Sequence, residues 1–266
     1  MGAGDLWLLI GNSRWHWVEA LAEAASLPES PVLRFSHSPP PPDPALLPWE
    51  RLRAWAAVGP LPLQGAGRIS QLMELEGRRL RLERVPLQQL PPWLGIDRAL
   101  VGWQAWQRQG RLGGGAVLVA DAGTALSLTR VGATGVFAGG RLQPGLSTQL
   151  SSLGRTTALL PLLEPGPEGL DRVVTVNDPW PIETEQAMRV GCLSGLAAAV
   201  AQAWRDLQSV EPAALWLTGG DAPALAPLLR AQEVPFEPAP ELALEALVAL
   251  SSGPDPRGSA EPSPQP

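Results

Sequence analysis

Apolar positions along this chain fall into short runs and alternating stretches, punctuated by Gly- and Pro-rich turns. Asp5 to Ile10 is a compact apolar run that stops at Gly11-Asn12-Ser13, and Arg14 to Val18 then alternates with Trp15 and Trp17 on one side. The pattern predicts a strand, a tight turn and a second strand. Ser36 to Pro44 is dense in breakers and predicts a loop. After it, Leu46, Trp49, Leu52 and Trp55 recur at helical spacing and predict a helix over Ala45 to Ala57. Arg79 to Val85 alternates as a strand, and Ala99 to Arg108 is helical in pattern, ending before Gly113-Gly114-Gly115.

Beyond those glycines the periodicity is clearer. Ala116 to Asp121 reads as a buried strand, Ala125 to Val131 as the next, and Gly135 to Leu142 as a third before Pro144-Gly145 and a helix. Glu183 to Leu207 predicts a long Ala-rich helix, Leu215 to Thr218 a strand, Ala222 onward a helix, and Glu241 to Leu250 a final amphipathic helix. An α/β protein is expected, divided at the triple glycine into residues 1–113 and 114–250. The Pro/Ser/Gly-rich stretch from Ser251 to Pro266 is expected to be a disordered tail.

Strand, Gly-containing turn and strand occur once in each half, at Leu8 to Ser13 and at Val119 to Thr124. Such turns expose backbone N–H groups beside a small hydroxyl residue and can cradle a phosphate. The duplication suggests a nucleotide held between two related domains. On geometry alone, two ordinary hairpins are the favoured explanation of the pattern.

Composition narrows the chemistry. The chain has 266 residues and a net charge of −6, with Arg as its only basic residue type apart from two His; Lys and Tyr are absent. A P-loop NTPase or a protein kinase needs a phosphate-binding Lys, and Schiff-base chemistry needs a Lys amine, so these are excluded. Single Cys192 with His16 and His37 is too small a set for a Cys/His zinc site. Met1 to Ile10 lacks a basic n-region and a long apolar h-region, so no signal peptide is expected, and no apolar run approaches the length of a membrane span. From Ala231 onward, Glu233, Glu237, Glu241, Glu245, Asp255 and Glu261 face Arg257 alone. No basic stripe points to nucleic acid. A cytoplasmic protein with neither nucleic-acid nor membrane partners is expected.

Six segments, in order, resemble the type III pantothenate kinases of the acetate kinase/sugar kinase/Hsp70/actin superfamily: Ile10-Gly11-Asn12-Ser13, Leu94-Gly95-Ile96-Asp97-Arg98, Asp121-Ala122-Gly123-Thr124-Ala125, Gly139-Gly140-Arg141-Leu142-Gln143-Pro144-Gly145, Thr184 to Gly191, and Thr218-Gly219-Gly220-Asp221-Ala222. The resemblance covers roughly residues 5 to 230. It implies two ribonuclease-H-like (actin-like ATPase) domains with mixed sheets flanked by helices, and a homodimer. It implies transfer of the γ-phosphoryl of ATP to pantothenate, the first step of coenzyme A synthesis, with Mg²⁺ and a monovalent cation, K⁺ or ammonium. By the same resemblance Asp97 is the general base, and Gly95, Ile96, Asp97, Arg98 and Thr184 contact the substrate, Arg98 through its carboxylate. Gly11, Asn12, Ser13, Gly123, Thr124, Gly219, Gly220 and Asp221 are the implied ATP-binding residues, and Asp121 the ligand of the monovalent cation. Gly139, Gly140 and Gly145 would flank the substrate pocket.

The resemblance has two departures. The family's first phosphate motif begins with an Asp where this chain has Leu9, and Asp5, four residues earlier on the strand, cannot simply replace it. Thr129 stands where many relatives carry an acid. Leu9 motivates an alternative reading: a catalytically degenerate relative that binds a ligand or regulates. A third is a kinase acting on another small hydroxylated substrate. Most of the tryptophans, among them Trp15, Trp17, Trp49, Trp55, Trp93, Trp103 and Trp106, are expected in the core or an interface, and His16 is read as a structural strand-edge residue.

Overall fold

The structure, a computed structural model, describes residues 4–21, 32–40, 48–58, 75–163 and 178–252. The beginning of the helix expected at Ala45 and the tail beyond Ser252 lie outside the described residues. By its contacts the chain divides into two compact units, Met1–Gln104 with Glu241–Pro266, and Ala105–Pro240.

In the first unit, strands β1 (Leu6–Ile10), β2 (Trp15–Leu21), β3 (Val32–Ser38) and β4 (Leu52–Ala57) form one sheet in the order β3-β2-β1-β4. β1 to β3 are antiparallel neighbours and β4 runs parallel to β1. Helix α1 (Ile96–Arg111) follows and carries the division between the units at Gln104. In the second unit β5 (Ala116–Ala122), β6 (Ala125–Val131), β7 (Phe137–Pro144), β8 (Ala213–Thr218) and β9 (Glu237–Pro238) are ordered β7-β6-β5-β8-β9. Its helices are α2 (Leu146–Thr156), α3 (Thr184–Gln208) and α4 (Ala222–Ala231). Both sheets open with an antiparallel meander and add a parallel strand beside the first, so one mixed α/β design occurs twice.

Three expectations are corrected. Leu52 to Ala57 is a strand, although Leu52 and Trp55 are spaced like one face of a helix. The register explains this: Leu6 pairs with Leu52 but Trp7 with Ala54, so Arg53 is an extra, bulged residue. The bulge returns Leu52 and Trp55 to one face, where they pack with Leu6, Leu8, Ile10 and Trp15. Ser36 to Ser38, expected in a loop, completes β3, because β2 offers an unpaired edge that backbone pairing can fill. Arg79 to Val85 makes only a single bridge, Arg79 to Trp55, followed by a 3₁₀ turn at Leu82–Arg84.

The last helix, α5 (Leu242–Ser252), falls in the first unit rather than the second half where the sequence division placed it. It covers the sheet face opposite the Leu52–Trp55 cluster, and Trp7 on that face donates its indole N–H to Ser251 Oγ at 2.7 Å. In the second unit, Met188, Cys192, Leu196 and Val200 line one stripe of α3 and pack on Leu118, Ala120, Leu126 and Leu128 of the sheet. Each such fully buried Leu contributes about 1.5–3 kcal/mol. No helix among the described residues is long and apolar enough to cross a membrane.

Candidate functional site

The first turn joins β1 to β2. Gly11 N–H donates to Arg14 O at 2.9 Å and closes it, leaving Asn12 and Ser13 exposed. A Cβ on Gly11 would lie 2.9 Å from Arg14 O and 3.3 Å from His16 Nε2, so glycine is needed for the chain to close this tightly. Leu9, one turn of the pleat earlier, is buried at 5% exposure and pairs with His16 on one side and Ala56 on the other. Asp5 is engaged elsewhere: its carboxylate accepts from Arg53 Nε at 2.8 Å, held there by the bulge.

Asp97 lies in the first turn of α1, where unpaired backbone N–H groups favour a carboxylate. Its Oδ1 accepts from the Arg98 backbone N–H at 2.8 Å. Burial pushes its pKa up from the ordinary carboxylate value, against the pull of that hydrogen bond and of the Arg98 guanidinium. Gly95 makes room for this carboxylate, since a Cβ there would come within 2.6 Å of Asp97 Oδ1. The same position is 3.5 Å from Val58 Cγ1, and Val58 N–H donates to Ile10 O at 2.9 Å. Through Val58, the Gly95–Arg98 segment and the Ile10–Ser13 turn are neighbours. Leu94 and Ile96 are buried and anchor the segment, while Trp93 is 84% exposed.

In the second unit three expected segments converge on one corner. Asp121 is the last residue but one of the central strand, paired with Ser127 of β6 and Thr218 of β8. Gly123 N–H bonds Ala125 O at 3.1 Å, and a Cβ on Gly123 would touch nothing closer than 4.0 Å. Gly145 packs backbone to backbone on this turn: its N–H donates to Thr124 O at 3.0 Å, and its missing Cβ would collide with Gly123 O. Thr148 Oγ1 also donates to Thr124 O at 2.7 Å. From the other side Gly219, at φ +93°, brings its backbone onto Ala122, and the Asp221 N–H bonds Ala122 O at 2.8 Å. Gly220 faces open space.

Not every expected residue joins this corner. Gly140 pairs with Thr129, four residues along β6 from the Ala125–Pro144 pair, which separates it from Pro144, next to Gly145, by about 14 Å. Thr184 is the first residue of α3 and exposed; the N-cap is Glu183, with no side-chain capping bond.

One group of functional type was not foreseen. His16 and His37 are cross-strand partners, with Nδ1 to Nδ1 at 2.8 Å, and His37 Nε2 lies 3.1 Å from Glu241 Oε1. His37 falls in the breaker-rich stretch that predicts a loop, so the register that joins the pair is not legible in the sequence. Among the described residues no group of three or more His, Cys, Asp or Glu could hold a metal ion.

The sequence profile of the type III pantothenate kinases matches residues 79–206. The type III pantothenate kinase of Synechococcus elongatus (strain ATCC 33912 / PCC 7942 / FACHB-805) is 35% identical over 235 residues, covering 84% of this chain and 86% of that one. That of Synechococcus sp. (strain JA-3-3Ab) is 34% identical over 252 residues, 91% of each. Among solved structures, a Campylobacter jejuni protein described as a Baf family transcriptional activator shares the fold, with TM-score 0.56 and 15% identity over 93% of this chain and 97% of that one. At 34–35% identity over most of the chain's length, the chain belongs to the type III pantothenate kinase family.

Proposed function

We propose that the protein phosphorylates pantothenate with ATP, giving 4′-phosphopantothenate for coenzyme A synthesis, as a cytoplasmic homodimer. The observation that carries the reading is Asp97: a half-buried carboxylate at a helix N-terminus, beside an Arg and next to a Gly-closed turn. Phosphoryl transfer asks the protein for positioning, charge compensation and a group to receive the alcohol proton. Asp97 receives that proton. Its raised pKa strengthens it as a base, and Oδ1 is fixed by the Arg98 N–H. Arg98 binds the pantothenate carboxylate, for which a guanidinium fork is suited, and Gly95, Ile96 and Thr184 complete the substrate contacts.

The two turns bind ATP. Gly11, Asn12 and Ser13 present N–H and hydroxyl donors in the first unit, and Gly123 and Thr124 in the second, with Gly219, Gly220 and Asp221 on the adenosine side. The open space above Gly123 and Gly220 supports this, because a side chain there would meet ligand rather than protein. A monovalent cation fits beside Asp121: Ser127, its cross-strand partner, keeps a buried Oγ with no hydrogen-bond partner among the described residues. Mg²⁺ would be held mainly by phosphate oxygens and water, since the described residues offer no carboxylate cluster. Bound there, the cations neutralise phosphate charge.

Purified protein supplied with ATP, Mg²⁺, K⁺ and pantothenate should form phosphopantothenate, with pantothenate much the best acceptor in a panel of hydroxylated acids. No product with either K⁺ or ammonium would refute the reading. Size-exclusion with light scattering should give a dimer that covers apolar side chains such as Trp180 and Ile182, 86% and 96% exposed in the single chain.

A further inference from the structure

His16, His37 and Glu241 form a chain of hydrogen bonds that ends at the first turn. Two pieces of backbone geometry set it: the β2–β3 register makes the two imidazoles direct partners, and Glu241 precedes α5, which covers that face of the sheet. The protons are assigned from the chemistry of the groups, with both imidazoles taken as neutral. A carboxylate only accepts, so His37 Nε2 is the donor to Glu241 Oε1. In neutral His37, Nδ1 is then an acceptor, and His16 Nδ1–H donates to it. His16 Nε2 is then left as a lone pair with no hydrogen-bond partner among the described residues. It lies 3.3 Å from the Cβ position of Gly11, directly at the turn. Burial, with His37 and Arg14 adding to it and Glu241 opposing, lowers the His16 pKa to about 4 and keeps the ring neutral at physiological pH.

An acceptor at a phosphate-binding turn would be an error if it faced phosphate oxygen, which is also an acceptor. It is suited instead to a donor that travels with the phosphates. Leu9, on the same face and in register with His16, supplies no polar group, so among the described residues the imidazole is the acceptor this face places beside Gly11. Imidazole is a poor direct ligand for a hard cation such as Mg²⁺. Water in the cation's hydration shell, with its polarised O–H bonds, is the fitting partner.

We propose that His16 Nε2 accepts a hydrogen bond from the hydration shell of the divalent cation carried by the nucleoside triphosphate, and that His37 and Glu241 are positioning residues that hold its tautomer. The proposal rests on the reading of Gly11 to Ser13 as a phosphate turn. It makes His16 a residue that distinguishes metal-loaded from metal-free nucleotide.

The test uses the full chain and a non-hydrolysable β,γ-imido ATP analogue, by NMR and titration calorimetry. With only two histidines, ring resonances are assigned by one substitution each. In the ligand-free protein the His16 ring ¹⁵N shifts should report Nδ1–H with bare Nε2, and His37→Ala should shift that balance. Adding the Mn²⁺ analogue complex should broaden the His16 ring signals together with the Asn12 and Ser13 amides. His16→Ala should weaken the Mg²⁺ analogue complex about ten-fold while leaving the metal-free analogue within two-fold. Broadening of the amides with an unaffected His16 ring overturns the proposal and spares the turn. Equal weakening of both nucleotide forms overturns it too. If neither the amides nor the ring respond, the phosphate-turn reading fails, and the proposal with it.

Discussion

Gly219 and Gly220 are adjacent in sequence and opposite in what an added methyl group meets. Gly219 has a φ of +93°, and a Cβ there runs into the backbone of Ala122. At Gly220 a Cβ finds nothing within 4 Å. Gly219→Ala therefore forces an L residue into left-handed backbone, at about 1–2 kcal/mol. It also overpacks against main chain that cannot rotate away, at about 1–3 kcal/mol. The combined loss of roughly 2–5 kcal/mol corresponds to a melting point lower by roughly 6–15 °C, at about 3 °C per kcal/mol. Gly220→Ala should melt as the parent does or slightly higher, because it restricts the unfolded chain by about 0.4–1 kcal/mol. Its defect should instead be in nucleotide binding, since the new methyl group enters the open side of the turn. Thermal unfolding followed by tryptophan fluorescence, with Trp216 on the strand that ends at this turn, measures the first effect. Calorimetric titration with the imido analogue measures the second. Equal melting of the two variants would refute the close approach of the Gly219 and Ala122 turns, and parental nucleotide affinity in Gly220→Ala would refute the assignment of the open side.

Asp97→Asn should lower kcat by about 10²–10⁴ while leaving the KM for pantothenate nearly unchanged. Because burial raises the Asp97 pKa, the native state holds its proton more tightly than the unfolded chain, so the carboxylate reduces stability at neutral pH. The Asn variant should thus be inactive yet no less stable, and a large drop in melting point would argue that the carboxylate is structural. The His16 pKa is lowered, so between about pH 6.5 and pH 4 the unfolded chain binds the proton and the folded one does not. Stability should fall across that window as pH drops, by about 3 kcal/mol from this group; His16→Gln should flatten the urea-midpoint profile there, and an unchanged slope would refute the buried neutral ring. Leu9→Asp sets a carboxylate in register with His16, and NMR titration should show the His16 pKa rising from about 4; no change would mean that the two side chains do not share a face.

Much of the second unit was legible because its strands and helices carry their own periodicity. The three strands from Ala116, Ala125 and Phe137 match the alternation in the sequence to within a few residues, as does the long helix from Thr184. The glycine turns were legible too, as were Asp97 and Arg98, which fall in the first turn of α1. In the first unit local periodicity is ambiguous at Leu52 and Trp55, whose three-residue spacing fits a helix and also fits a strand carrying a bulge at Arg53. Local spacing reports that two side chains share a face without saying which backbone creates it.

The sequence by itself determined the α/β class, the repeated strand–turn–strand unit, the exclusion of lysine-dependent phosphate chemistry, and the family segments in their order. These depend on residue identity and local periodicity, which no distant contact alters. Tertiary structure decided which turns meet. Gly145 and Gly219 press onto the Asp121–Thr124 turn from two sides, α5 returns to the first sheet, and strand register joins His16 to His37 and Glu241. Each of these is a pairing between segments far apart in the chain, selected by backbone hydrogen bonding and burial together, and neither leaves a mark in a single stretch of residues.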